Sequence, residues 1–278
     1  MKIFKTKHGI VFQNQGEYYQ VSDQSWDEFI NDDQLLTKLK NLSTEQYRIN
    51  DGEALVTDAL EAPIGNQEIW ASGVTYYNSK LGREEESKDA GGGAFYGKVY
   101  VAERPELFFK STAARTIGPG GTVRIRKDST WDAPEPELTL FITSNARIVG
   151  YTIGNDMSSR SIEGENPLYL PQAKMYDGSA ALGPCIYVTD QPLSPETEIE
   201  LLINRKGAAV LKEKVAISQI KRKFDELVSF LYREISFPNG SFLMTGTGIV
   251  PSSDFTLHKG DEISITIAPI GTLTNTVN

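Results

Sequence analysis

Asp132-Ala133-Pro134-Glu135-Pro136-Glu137-Leu138-Thr139-Leu140 enters a run that reads as a β-strand. Similar short runs follow and precede it: Thr122 to Arg126, Leu138 to Thr143, Arg147 to Tyr151, Cys185 to Thr189, Ile199 to Ile203 and Glu262 to Ile267. They are rich in β-branched and apolar residues and are separated by Gly, Pro, Asn and Asp, which is the punctuation of strands joined by turns. Most of the chain is therefore expected to be β. One clear helix is expected after Ser218, where Ile220, Phe224, Leu227, Leu231 and Ile235 form an apolar stripe suited to packing.

The part before these strands reads differently. Ile3 to Val21 alternates like two short strands with turns at Gly9 and at Asn14 to Gly16, and Trp26 to Leu42 has helical apolar spacing that Asn31-Asp32-Asp33 interrupts. Pro63 and Gly65 then punctuate the chain before Ile69-Trp70-Ala71. The expected organisation is a small α+β domain over residues 1–66 and a larger, mostly β domain over 67–278, reasonable for a chain of 278 residues.

Composition narrows the function. A formal net charge of −9 without a dominant basic run argues against nucleic-acid binding, which rests on Lys and Arg neutralising phosphates. No apolar run reaches membrane-spanning length, and the opening Met1 to Gln13 lacks the continuous apolar stretch of a signal peptide. Cys185 is the single cysteine, so neither an intrachain disulfide nor a cysteine-based zinc cluster is available. The expected setting is the cytoplasm. His8 and His258 are the two histidines, both in punctuated segments, which disfavours Ser-His-Asp chemistry and histidine-rich zinc sites.

Period-two geometry puts the carboxylates of Glu135 and Glu137 on one face of their strand. Alone, a Glu-Pro-Glu triplet also suits an exposed edge that resists aggregation. Within a pocket, two adjacent like charges need a cation or a shared proton. Asp156, nineteen residues beyond Glu137 in Gly154-Asn155-Asp156-Met157-Ser158-Ser159-Arg160, follows the strand-like Ile148 to Ile153 and can return beside them; otherwise it is a turn residue. Three carboxylates would hold a hard divalent ion, Mg²⁺ or Mn²⁺, and leave positions open for substrate.

Lys174 in Gln172-Ala173-Lys174-Met175 is a candidate base or partner for a substrate carboxylate or enolate, and Arg160 a candidate carboxylate grip; each would otherwise be a solvated surface cation. The triplet Gly91-Gly92-Gly93, after Arg83-Glu84-Glu85-Glu86, suggests a mobile loop or lid over Lys88 to Lys98. It is a weak phosphate cradle, since no Lys-Ser/Thr follows.

Taken in order, Phe108-Phe109-Lys110, Pro134-Glu135-Pro136-Glu137, Gly154 to Arg160, Ala173-Lys174, Leu182-Gly183-Pro184 and Thr245-Gly246-Thr247 resemble the fumarylacetoacetate hydrolase superfamily from about Ile69 to Val277. The resemblance implies rolled, mixed β-sheets, a metal on Glu135, Glu137 and Asp156, and substrate contacts from Arg160, Lys174 and Thr247. It also implies a homodimer, or a dimer of dimers, acting on a small 2-keto acid. Where many family hydrolases carry Tyr-x-x-His, this chain has Tyr76-Tyr77-Asn78-Ser79, which removes the water-activating histidine and places Ser79 in its position.

Gly73 to Tyr76, Arg83 to Ser87, Ala102 to Lys110 and Ser161 to Pro171 resemble the 2-keto-3-deoxy-pentonate dehydratase branch. That likeness implies loss of water from a xylonate- or arabinonate-derived keto acid to give 2,5-dioxopentanoate. Lys174 is then the candidate base or enolate partner, and Glu85 or Glu86 the acid at the departing hydroxyl. The alternatives are hydrolysis, decarboxylation or tautomerisation of an acylpyruvate or 1,3-diketo acid, and, more remotely, a non-catalytic keto-acid-binding module.

Overall fold

The computed structural model of the chain describes residues 1–86 and 93–278. Its framework is a large mixed sheet whose middle is the strand Pro136–Ile142, paired antiparallel with Ile148–Asp156 on one side and Ser241–Met244 on the other. Alternation along this strand divides the interior. Leu138, Leu140 and Ile142 face a core shared with a second, five-stranded sheet that includes Glu198–Arg205, Glu262–Ile267 and Gly271–Val277, while Phe141 joins the core on the opposite face. All seven residues of Pro136–Ile142 are buried, so a one-residue slip would exchange the two cores.

The second core is covered by the N-terminal helices. Phe29 and Ile30 of Trp26–Ile30, and Leu35 and Leu39 of Leu35–Leu42, pack with Ile69, Phe141, Phe242 and Met244. The expected interruption at Asn31-Asp32-Asp33 is real: Asp33 leaves the helix to accept hydrogen bonds from Thr143 and Asn145 at 2.5 and 3.0 Å. The opening has three strands where two were expected, Lys2–Thr6, Gly9–Asn14 and Glu17–Val21. Lys2 and Ile3 pair with Tyr187 and Ile186, so these strands extend the same sheet that carries Asp156.

Two local expectations are corrected. Ser218 lies in a short 3-10 turn, Ile217–Gln219, and the helix starts later and ends sooner, at Phe224–Leu231. Ile220 instead bridges to Tyr76, so part of the apolar stripe is spent on an extended segment. Much of the glycine-rich stretch expected as a lid, residues 87–92, lies outside the described residues. After it, Gly93–Val101 is helical, antecedent to the strand Glu106–Thr112. Among the described residues no helix is long and apolar enough to cross a membrane.

Candidate metal and keto-acid site

The antiparallel ladder between Pro136–Ile142 and Ile148–Asp156 brings the acidic residues together. Glu137 is opposite Gly154, and two residues along Glu135 and Asp156 exchange backbone hydrogen bonds, Glu135 N–H to Asp156 O at 3.2 Å and Asp156 N–H to Glu135 O at 3.0 Å. One carboxylate oxygen from each of Glu135, Glu137 and Asp156 lies within 4.8 Å of the others, and all three residues are buried. The exposed-edge and turn readings are thereby excluded for these residues.

Their electrostatics differ sharply. Burial, followed by Asp156 and Glu135, pushes the Glu137 carboxyl well above its usual range, partly offset by the Gly246 N–H that donates to its Oε2 at 2.5 Å. Burial would raise Glu135 as well, but Lys174, Arg83 and Arg160 outweigh it and bring that carboxyl down to about 2. Gly246 has φ +92°, and a Cβ there would stand 2.1 Å from Thr75 Oγ1; only glycine can present its N–H at this turn without displacing the neighbouring loop.

Lys174, at the end of the short helix Leu170–Lys174, has a fully buried ammonium that donates to Glu135 Oε2 at 2.8 Å, Asp156 Oδ2 at 3.2 Å and Ser158 Oγ at 2.6 Å. Burial opposes its charge, yet Asp156, Glu135 and Glu163 hold its pKa above the usual lysine value. In this state Lys174 is a proton-bearing cation, the condition for an enolate partner rather than for a free base. Arg160 is buried at the start of its helix, 3.8 Å from Glu135 Oε1, with its guanidinium over the Trp131 ring. Thr247 lines the same chamber, its hydroxyl engaged with Ile249 N and O.

Ser79 also lines the chamber, and its hydroxyl accepts from Tyr76 N–H and donates to Tyr76 O, holding the first turn of Tyr77–Glu86. Glu85 is placed elsewhere. It is exposed and lines a second cavity with Trp131, Ser252 and Ser253, beside the carboxylate chamber. The side chain of Glu86 lies outside the described residues.

Two residues carry more than the sequence reading gave them. Lys110 is fully buried; its Nζ pairs with Asp156 Oδ1 and donates to Met157 O at 3.0 Å and Lys174 O at 2.5 Å. It thus supports both a carboxylate of the acidic cluster and the backbone of Lys174. Glu106 is half-buried as a residue, but its Oε2 is sealed from solvent, without a hydrogen-bond partner among the described residues, and stands against Gly73 in the chamber wall. Burial raises its pKa, with Arg83 and Lys174 opposing. Both lie in Ala102 to Lys110, a stretch that belongs to the resemblance, but only the fold reveals how close they come to the carboxylates. Arg83, one of four charged residues in a row, turns inward to form an ion pair with buried Glu163.

A carboxylate-only donor set suits a hard cation that prefers oxygen, and the burial and like-charge repulsion that raise Glu137 are what such a cation offsets. The residues present therefore fit Mg²⁺ or Mn²⁺. Residues 75–278 match the model of the fumarylacetoacetate (FAA) hydrolase C-terminal family. The chain belongs to that family. Within it, the chain is 46% identical over 226 residues to the probable 2-keto-3-deoxyxylonate dehydratase of Haloferax volcanii, covering 81% of this chain and 77% of that protein. It is 43% identical over 219 residues to the 2-dehydro-3-deoxy-D-arabinonate dehydratase of Saccharolobus solfataricus, covering 77% and 72%. A solved 2-keto-3-deoxy-D-arabinonate dehydratase complexed with magnesium and 2,5-dioxopentanoate superposes with a TM-score of 0.85 at 34% identity, covering 100% of this chain and 99% of that one.

Proposed function

We propose that the protein is a Mg²⁺-dependent hydro-lyase that converts a 2-keto-3-deoxy-pentonate, derived from xylonate or arabinonate, to 2,5-dioxopentanoate and water. The observation that carries this reading is the buried cluster of Glu135, Glu137 and Asp156, clamped by Lys174 in a chain similar to dehydratases of such acids. Glu135, Glu137 and Asp156 would hold the ion, which would supply Lewis-acid polarisation to a bound 2-keto acid.

The chain's own residues do the rest. Lys174 Nζ holds a proton where negative charge develops on the keto oxygen, and buried Arg160 orients the substrate carboxylate. Glu106 is the proposed proton carrier: a carboxyl raised by burial can accept the C3 proton and return one to the departing C4 hydroxyl, which leaves as water. The C3–C4 alkene then tautomerises, its C5 alcohol becoming the aldehyde. Ser79, in place of the hydrolase histidine, is tied to Tyr76 and offers no base for activating water, which favours elimination over carbon–carbon hydrolysis. Thr247 is proposed as a substrate contact. Glu85 and Glu86 are the alternative acids to Glu106 at the leaving group, a role that for Glu85 requires the substrate to reach the second cavity.

A cytoplasmic homodimer, or a dimer of dimers, completes the proposal; the lone cysteine suits a reducing compartment, and sedimentation of the protein tests the assembly. The reaction is tested by incubating metal-loaded protein with 2-keto-3-deoxy-xylonate, 2-keto-3-deoxy-arabinonate and an acylpyruvate and identifying products by mass. Dioxopentanoate from either sugar acid is the expected result. Pyruvate released from the acylpyruvate, with both sugar acids untouched, would overturn the assignment.

A further inference from the structure

The carboxylate chamber is small. Its cavity of about 20 Å³ has room for one or two water-sized groups, enough for the two chelating oxygens of a keto acid and too little for a five-carbon chain. Beside it lies a second cavity of about 200 Å³ lined by Glu85, Trp131, Ser252 and Ser253. Gly82, Arg160 and Val250 line both cavities and so form the partition between them. Glu85, Ser252 and Ser253 are exposed, which makes the larger cavity the side from which solvent is reached.

We infer that this second cavity is the subsite for the hydroxylated tail of the substrate, and that the contact of Gly82 with Val250 is the gauge of its length. The inference rests on the keto-acid reading of the carboxylate chamber. A sugar acid whose C1 and C2 oxygens occupy the small chamber must send C4 and C5 past the partition. Beyond it the Glu85 carboxylate and the two serine hydroxyls offer hydrogen bonds to alcohol groups, while Trp131 supplies a flat apolar wall of the kind that stacks on carbon chains.

Arg160 is held on the partition from two sides, by the Trp131 ring and by Glu135, so its guanidinium spans the two compartments. Gly82 sits within the helix Tyr77–Glu86, and a Cβ there would stand 2.7 Å from Val250 Cγ1. Glycine is the costlier residue for a helix interior, so its presence at this contact keeps space that alanine would fill. The same contact predicts that trimming Val250 opens the passage.

The test uses metal-loaded full-length wild type, Gly82→Ala, Val250→Ala and the double variant. Each is assayed with a 2-keto-3-deoxy-pentonate and with the one-carbon-longer 2-keto-3-deoxy-hexonate. Calorimetry measures the affinity of pyruvate, which ends at C3, before the partition. Gly82→Ala is expected to raise KM for the pentonate about tenfold, the effect of one misfitted methyl group, while pyruvate affinity stays within about twofold. Val250→Ala is expected to raise the hexonate to pentonate ratio of kcat/KM about tenfold, and the double variant to bring KM back toward wild type. An unchanged length ratio in Val250→Ala, or equal losses for the pentonate and pyruvate in Gly82→Ala, overturns the subsite. Failure of wild type to act on either sugar acid would instead strike the proposed reaction, and the calorimetric comparison with pyruvate separates the two outcomes.

Discussion

Replacing Lys110 by methionine removes a charge while nearly keeping the volume of a fully buried side chain. In the native protein the ammonium faces Asp156 Oδ1, Met157 O and Lys174 O, three acceptors for its three N–H groups. Methionine leaves one carboxylate oxygen and two carbonyls without that donor. Breaking a buried ion pair from one side costs about 3–5 kcal/mol, and the stranded carbonyls contribute within the same order rather than in addition. For a domain of this size that is a fall in Tm of about 10 °C. The loss should be partly repaired by Mg²⁺, because a cation on Asp156 compensates the charge that Lys110 no longer balances. Thermal denaturation with and without millimolar Mg²⁺ is the assay. The expected pattern is a large drop in chelator and a smaller one in Mg²⁺. A variant melting within about 2 °C of wild type in chelator would refute the reasoning, since it would mean that the buried acceptors never depended on the lysine.

Glu137→Gln tests the electrostatic conflict in the metal cluster. With its carboxyl raised above 4.5 by burial and its acidic neighbours, the folded metal-free protein keeps a proton that the unfolded chain releases, so stability falls as pH rises from 4.5 through the raised value. The variant should lack that slope, melt higher than wild type in chelator near neutral pH, and lose the stabilisation by Mg²⁺. Glu135 acts in the other direction: held at about 2, it contributes stability above 4.5 that is lost as pH falls toward 2, and acid titration of Glu135→Gln should show this loss removed. Glu106→Gln should lower kcat by about 100-fold or more with Mg²⁺ affinity nearly unchanged, because the residue is assigned to proton transfer; near-normal turnover would remove that role. Gly246→Ala should cost about 1–2 kcal/mol from the left-handed backbone alone and weaken Mg²⁺ binding by disturbing the N–H that holds Glu137, read by melting and calorimetry.

The acidic cluster was legible in the sequence because its geometry is local. Period two along one strand sets Glu135 beside Glu137, and an antiparallel return fits the spacing to Asp156. The strands of the catalytic part were legible for the same reason, although their ends shifted: Ile148–Asp156 runs past the strand-like Ile148 to Ile153 to take in Asp156 itself, because two-sided burial hides the alternation that marks a strand. The helix after Ser218 was placed early because the stripe from Ile220 onward keeps helical spacing even where the backbone bridges to Tyr76. Lys110, Glu106 and the Arg83–Glu163 pair lie in stretches that carry the resemblance, yet their roles at the site were not legible in them. Each reaches the site from a different element, and charged side chains at those places look like solvated surface until packing encloses them.

By itself the amino-acid sequence determined the β-rich class, the family resemblance, the carboxylate triad and the loss of the hydrolase histidine, since all of these are written in short-range pattern. Only the tertiary structure decided that the N-terminal strands continue the sheet bearing Asp156, that Lys174 and Lys110 grip opposite oxygens of that aspartate, and that Glu85 faces a separate cavity. The physical reason is that desolvation and charge pairing depend on which distant segments close over a group. That information resides in the packing of the sheets and not in any one stretch of chain.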